Sequence, residues 1–435
     1  MPAPGGARPQ SFGDRTRMTC RRFLALGFAL LAAQGPVSAA DDFLDRLGEH
    51  LTLATPDGTG AVRVSGLLDL EQYVFPHPAP GLLFASGNSL FSPRLSVYLD
   101  AQWGARTYLF TQTRVDRGFD PAAADLQVRL DEYALRFAVR KDGRFGLQAG
   151  RFATVVGSWV RRHSSWDQPF VTAPLAYENL TGIWDSAAPR NTEVLLAWAH
   201  VRPSVFVPDE YTDKHLRLPM IWGPSYAHGV AAFGQLGRFD LAVEVKNASL
   251  SSRPEAWDLD RDSWRHPTVS TRLGFRPNVM WEAGLSASAG SFLDPAATRS
   301  LGAGRTHTDF RQTLLAGDLG FAARHWQVWA ELAATRFRLP GIGDADTAAG
   351  FVEVKRKFAT RWSVAGRLNR QVFNRLTDAR GRSVRWGRNV WRLDLAPAYR
   401  FSAHVQAKLQ GSVEWRDNAV DRTVHVLSTQ LTLRF

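Results

Sequence analysis

The chain has 435 residues, 45% of them hydrophobic and 22% charged, with a formal net charge of +12 and one cysteine. No stretch supplies the ~18 consecutive apolar residues of a membrane-crossing helix, which excludes a helical membrane protein. Acids and bases alternate within the same short stretches and form no basic stripe, which excludes a nucleic-acid partner.

At the N-terminus, Arg21 and Arg22 precede the apolar run Phe23 to Ala33, and Val37-Ser38-Ala39-Ala40 supplies small residues before Asp41 and Asp42. This charged, apolar, small-residue order predicts a cleaved secretory signal over 1–40, with Met18 a second candidate start. Cys20 would leave with it, so the exported chain would carry no thiol, as suits an oxidising compartment without disulfides. In 41–60, Phe43, Leu44, Leu47 and Leu51 share one helical stripe, which predicts a short amphipathic helix before Thr55-Pro56-Asp57-Gly58.

From residue 61 the apolar period becomes two. Leu95, Val97, Leu99, Ala101 and Trp103 alternate with Arg94, Ser96, Tyr98, Asp100 and Gln102. The same pattern predicts eighteen strands, at 61–75, 91–103, 105–116, 125–139, 144–152, 179–186, 191–202, 227–236, 239–248, 267–276, 279–290, 308–321, 325–338, 349–358, 361–373, 388–398, 402–415 and 422–435. The weakest is 179–186, and losing it with a neighbour leaves sixteen. Short turns (Gly104-Ala105, Lys141-Asp142-Gly143, Gly237, Pro277-Asn278, Arg324) interleave with longer links at 76–90, 117–124, 153–178, 203–226, 249–266, 291–307, 339–348 and 375–387. Most strands reach the ~9 to 11 residues of a tilted membrane span, against about 5 to 6 in globular sheets. Trp103, Trp281, Trp326, Trp362, Trp391 and Trp415 sit near strand ends, where interfacial girdles belong. The predicted fold is all-β, a transmembrane antiparallel up-and-down barrel over 61–435. A secreted sandwich or propeller is the rival, and the chain lacks the ~40- to 50-residue repeat of propeller blades.

The last strand, Val424 to Phe435, places Leu427, Thr429, Leu431, Leu433 and Phe435 on one face and ends on that phenylalanine. It resembles the closing strand of Gram-negative outer-membrane β-barrels, and the mature chain resembles porins in general architecture, without the motif of a particular porin family. The resemblance implies outer-membrane residence and contact with lipid and lipopolysaccharide. It also implies recognition of the Phe435 strand by the barrel assembly machinery, a periplasmic position for 41–60, and leaves a homo-oligomer open.

Setting each polar strand face inward places Arg94, Arg114, Arg136, Lys246, Arg272, Arg276, Lys355, Lys357, Arg367, Arg392 and Lys408 in the lumen. They face Asp100, Glu132, Glu244, Glu282, Glu353, Asp394 and Glu414. The excess of bases favours anions, while pairing across strands would merely hydrate the wall. The densest constellation is Gly157 to Asp167, where Arg161, Arg162 and His163 lie between Trp159 and Trp166, a mix suited to an anionic or ring-bearing solute. The 153–178 link is the candidate constriction loop. His163, Ser164, Ser165 and Asp167 hold the residue types of a hydrolase, but adjacency in sequence is not alignment, and no enzymatic activity is expected. The histidines lack metal-ligand spacing and no glycine-rich phosphate loop appears, so no metal or cofactor is expected. The expected function is passive diffusion of small hydrophilic solutes with weak anion preference. The alternative is a sleeve or scaffold around a partner protein.

Overall fold

The computed structural model describes residues 37–76, 79–85, 87–118, 126–200, 214–258, 264, 266–302, 304–417 and 422–435. Most of the predicted leader, 1–36, lies outside the described residues. A helix, α1 (Val37–His50), comes first, followed by a short strand, β1 (Thr52–Ala54). The chain then climbs and descends through β2 (Gly60–Val74), β3 (Ser89–Trp103), β4 (Thr107–Asp116), β5 (Gln127–Ala138) and β6 (Phe145–Phe152). It continues through β7 (Ala227–Leu236), β8 (Phe239–Lys246), β9 (Thr268–Phe275), β10 (Trp281–Ser291), β11 (Arg311–Ala323), β12 (Trp326–Leu339), β13 (Gly343–Lys357) and β14 (Trp362–Phe373). A small hairpin, β15 (Arg375–Thr377) with β16 (Ser383–Arg385), precedes the last three strands, β17 (Val390–Arg400), β18 (Val405–Arg416) and β19 (Thr423–Arg434).

Each long strand pairs antiparallel with its sequence neighbour, and β19 pairs with β2 from Leu427↔Val74 to Arg434↔Leu67. The result is a closed barrel of sixteen strands with β1 outside it. Closure leaves no sheet edge unpaired, which a strand-built object in lipid requires. Short turns, β1 and Phe435 share one rim. Gly104, Gly143 and Gly237 turn there with positive φ, and Arg324 does so at φ 52° without being glycine.

The two predicted strands at 179–186 and 191–202 are absent. The first is largely coil following a one-turn helix, α2 (Leu175–Glu178), and the second is a helix, α3 (Thr192–His200). Both belong to the link between β6 and β7, whose described residues 153–200 and 214–226 include the segment that enters the barrel. Their apolar residues imitate a lipid-facing strand because they pack inward: Ile183 and Leu195 join Leu218, Trp222, Phe337 and Trp386 in a buried core. Sixteen strands, the alternative count, is therefore correct. The predicted link at 339–348 shrinks to 340–342, because β12 and β13 run through its flanks.

Alternation sets the two surfaces. Leu285, Leu315, Leu332, Leu368, Leu395 and Leu409 stand exposed outside, while Gln371, Gln410, Ser412, Ser428 and Thr432 are buried inside. Exposed Trp103, Trp281, Trp326 and Trp362 lie at the short-turn ends of their strands, and Trp391 with Trp415 at the long-link ends. These are the two aromatic girdles of a membrane barrel. The pairing of β4 with β5 slips between Gln112 and Thr113. The extra residue, Asp131, is fully buried beside the lumen-facing Glu132, a β-bulge that turns two consecutive acids inward.

Candidate functional site

The segment 153–179 crosses the lumen and is clamped along its length by wall residues of opposite kinds. Its first half offers backbone N–H groups to carboxylates. Glu331 of β12 accepts from Ser158 N at 2.8 Å and Trp159 N at 3.2 Å, and also from the Tyr177 hydroxyl. Glu244 of β8 accepts from Thr154 Oγ1 at 2.6 Å and Val155 N at 3.2 Å. The second half offers carbonyls to bases. Arg367 Nη2 donates to Thr172 O at 3.0 Å, Arg392 donates to Ala173 O, and Lys408 Nζ donates to Gln168 O at 2.7 Å and to Ser165 O. Lys246 Nζ closes the base of the link on Phe152 O at 2.6 Å and Ser225 O at 3.3 Å. Charge-assisted bonds of this kind are about twice as strong as neutral ones, and the segment also seals an apolar cluster of Val156, Val160, Tyr177, Met220 and Phe351.

This clamp redistributes the residues predicted to line the pore. Arg367, Arg392 and Lys408 face the lumen but are buried beneath the link. Arg367 also bonds Asp394 at 2.8 Å. Adjacent Arg161 and Arg162 part company. Arg162 turns to the wall, pairing with Glu353 at 2.5 Å and stacking on Trp329 at 4.2 Å. Arg161 stays in the open, 37% exposed, with Glu282 at 3.5 Å and Asp318 at 3.9 Å. Trp159 is buried against Tyr177, and Trp166 is buried under the guanidinium groups of Arg400 and Arg434, so neither ring is free to stack on a solute.

His163 is held on both nitrogens. Nδ1 lies 2.5 Å from Val160 O, which can only accept, so Nε2 at 2.7 Å accepts from the Tyr226 hydroxyl. Burial pulls its imidazole down from the ordinary value to about 4, so it is neutral at pH 7 and commits no nitrogen to Ser164 or Ser165.

Two cavities lie between the link and the β2–β9 wall. One, of about 470 Å³, is lined by Arg94, Ser96, Tyr98, Gln112, Arg114, Ser164 and Gln168 among others. The other, of about 750 Å³, reaches the short-turn rim past Arg136, Arg144, Gln148, Arg272 and Arg276. Phe110, Glu132, Val160, Arg161 and His163 line both and form the neck between them.

The charges around these spaces are layered. Arg94 is 26% exposed while its partner Asp69, at 3.1 Å, is 1% exposed. Arg114 is 17% exposed while Asp131, at 3.3 Å, is fully covered. Arg136 rests on the Gln148 amide oxygen at 3.1 and 2.7 Å, with no carboxylate. Arg272 is buried between Asp240 and Asp318.

The sequence tally of lumenal charges missed the acids Asp69, Glu71, Asp131, Asp318 and Glu331 and the bases Arg63, Arg129, Arg400 and Arg434. Position adds to the count: beside Arg94 and Arg114 the acids lie against the wall and the guanidinium heads reach the water.

No protein-family model matches the chain, and no curated protein matches it in sequence. Solved structures match in shape. OmpF of Salmonella typhi, in complex with daunomycin, aligns at TM-score 0.53 and 10% identity over 88% of this chain and 100% of its own. The outer-membrane channel DcaP of Acinetobacter baumannii aligns at 0.51 and 9% identity over 88% and 99%. The anion-selective porin of Comamonas acidovorans aligns at 0.50 and 10% identity over 86% and 100%. The fold is that of Gram-negative outer-membrane porins. At these identities the likeness extends to the porin-like barrel and its strand order, and to no particular porin family.

Proposed function

We propose that this porin-like barrel is an outer-membrane channel for passive diffusion of small hydrophilic solutes, with a preference for anions. The observation that carries the reading is the layering of charge around the two cavities and their neck. A permeating ion meets the partly exposed guanidinium groups of Arg94, Arg114, Arg136 and Arg161; the acids that balance the first two sit buried behind them, Arg136 rests on an amide oxygen, and Arg161 shares the open space with Glu282. Charged groups at a constriction set the sign of the favoured ion. The link already fills much of the lumen, which disfavours the sleeve reading. Both nitrogens of His163 are engaged away from the neighbouring serines, which disfavours a hydrolase.

The test is single-channel recording in a salt gradient. The reading expects discrete conductance steps and a reversal potential displaced toward that of the anion. Steps with a cation-side reversal potential would overturn the anion preference, and an absence of steps from verified folded protein would overturn the channel.

A further inference from the structure

We propose that the short-turn mouth of the barrel holds a docking site for a small multivalent anion, separate from the neck. Five bases stand at strand ends along one arc of this mouth, centred on Arg400 and Arg434: Arg63 of β2, Lys355 and Lys357 of β13, Arg400 of β17 and Arg434 of β19. By strand alternation each lies on the inward face, so the site opens to the lumen and not to lipid. Arg400 and Arg434 are positioned by one aromatic plate, with their guanidinium carbons 4.9 and 4.4 Å from the Trp166 ring centroid. Lys357 and Arg400 repel Lys355, and Arg400 and Arg63 repel Arg434.

What marks this cluster is several bases gathered without counter-charge in contact. Arg94 is matched by Asp69 and Glu71, Arg129 by Asp116 and Asp131, and Arg272 by Asp240 and Asp318, while the unmatched Arg136 and Lys408 stand singly on uncharged oxygens. Among the described residues, no carboxylate lies in ion-pair contact with any of the five. The acids nearest Lys355 are Asp167 and Glu353, and Asp100, which accepts from the Tyr108 hydroxyl, lies across from Arg63. Glu353 is fully buried and committed to Arg162 and Arg367, which leaves Asp167 and Asp100 against five bases. Arg400 and Arg434 spend donors only on uncharged oxygens, Gln406 Oε1 at 3.4 Å and Ala403 O at 3.1 Å.

Like charges gathered without a partner are costly unless something neutralises them. An anion with two or more charges and several acceptor oxygens, such as a diphosphate or a tricarboxylate, satisfies both the charge and the planar guanidinium donors. A monovalent ion such as chloride satisfies neither fully.

Binding is measurable without a membrane, so the proposal stands or falls apart from conduction. Calorimetric titration of the full chain, folded in detergent at low salt, with inorganic pyrophosphate should show one-site binding and a raised melting temperature. Arg400→Gln with Arg434→Gln should weaken binding by about tenfold or more, whereas Arg94→Gln with Arg114→Gln should change it by less than about twofold. Lys357→Gln, at an exposed strand end, gives a milder loss of about threefold should the double variant fold poorly. Absence of binding by the native chain would overturn the site, as would an equal loss in the Arg94 and Arg114 variant.

Discussion

The ring of Phe435 fills the space that a side chain on Gly66 would need: a Cβ at residue 66 would lie 2.3 Å from Phe435 Cζ. The two backbones bond reciprocally, Gly66 N to Phe435 O at 3.0 Å and Phe435 N to Gly66 O at 3.1 Å. The last residue of the chain thus completes the first strand of the barrel, on the outward face where Leu433 and Leu431 continue the apolar belt. Gly66→Val should expel the ring and weaken the seam, lowering the fraction that migrates as folded barrel in unheated gels. Adding Phe435→Ala to Gly66→Val should recover part of that loss. A double variant no better than Gly66→Val would show that the contact is incidental to closure.

Glu331 is the principal latch of the inward link. Glu331→Ala strands the N–H groups of Ser158 and Trp159 and the Tyr177 hydroxyl, at about 1 to 3 kcal/mol for each buried donor left unpaired. The strands keep their pairing, so the barrel should fold, while residues 153–179 become open to protease and conductance rises. Unchanged conductance with unchanged protease resistance would mean the remaining clamps suffice.

The parting of Arg161 and Arg162 predicts unequal effects. Arg161→Ala removes the guanidinium that reaches the neck and should lower the anion-to-cation permeability ratio. The shift should shrink between about 0.1 M and 1 M salt, as the Debye length contracts from roughly 10 Å to 3 Å. Arg162→Ala leaves Glu353 with one partner fewer inside the wall and should destabilise the link with little effect on the ratio. Equal shifts from the two variants would contradict the geometry.

His163 makes docking of the link sensitive to acid. Its folded value of about 4 lies below the ordinary 6.5 because burial disfavours the charged ring. The undocked state therefore binds more protons between these values, and docking strengthens as pH rises through that window. It is complete above about pH 6.5, weakens as pH falls toward 4, and levels off below. Opening of the link, read as protease access or current noise, should increase over that range, and His163→Asn should flatten the response. A native profile without change between these limits would place the sensitivity elsewhere.

Much of the wall was legible because alternation is a local property: Leu409 outside and Lys408 inside follow from neighbours two residues apart. The strand count was not fully legible, since Leu195 and Ile183 read alike whether their apolar partner is lipid or an interior core. The bulge at Asp131 left no periodic trace, so Arg129 and Asp131 escaped the lumenal set. Sequence placed Arg392 and Lys408 on the correct face but could not reveal that the link would cover them, because their partners Ala173 and Gln168 lie more than two hundred residues away. The short-turn cluster was visible only in part, as Lys355 and Lys357, since Arg63, Arg400 and Arg434 converge with them only when the cylinder closes.

The clamp on the inward link also dictates an order of events. Ser158 bonds a residue 173 positions later, and Val171 bonds one 239 positions later. During synthesis from the N-terminus the link exists before almost everything that holds it. Its anchors at Lys408 and Gln410 stand on the penultimate strand, so the link has its full set of holds only once β18 has joined the wall.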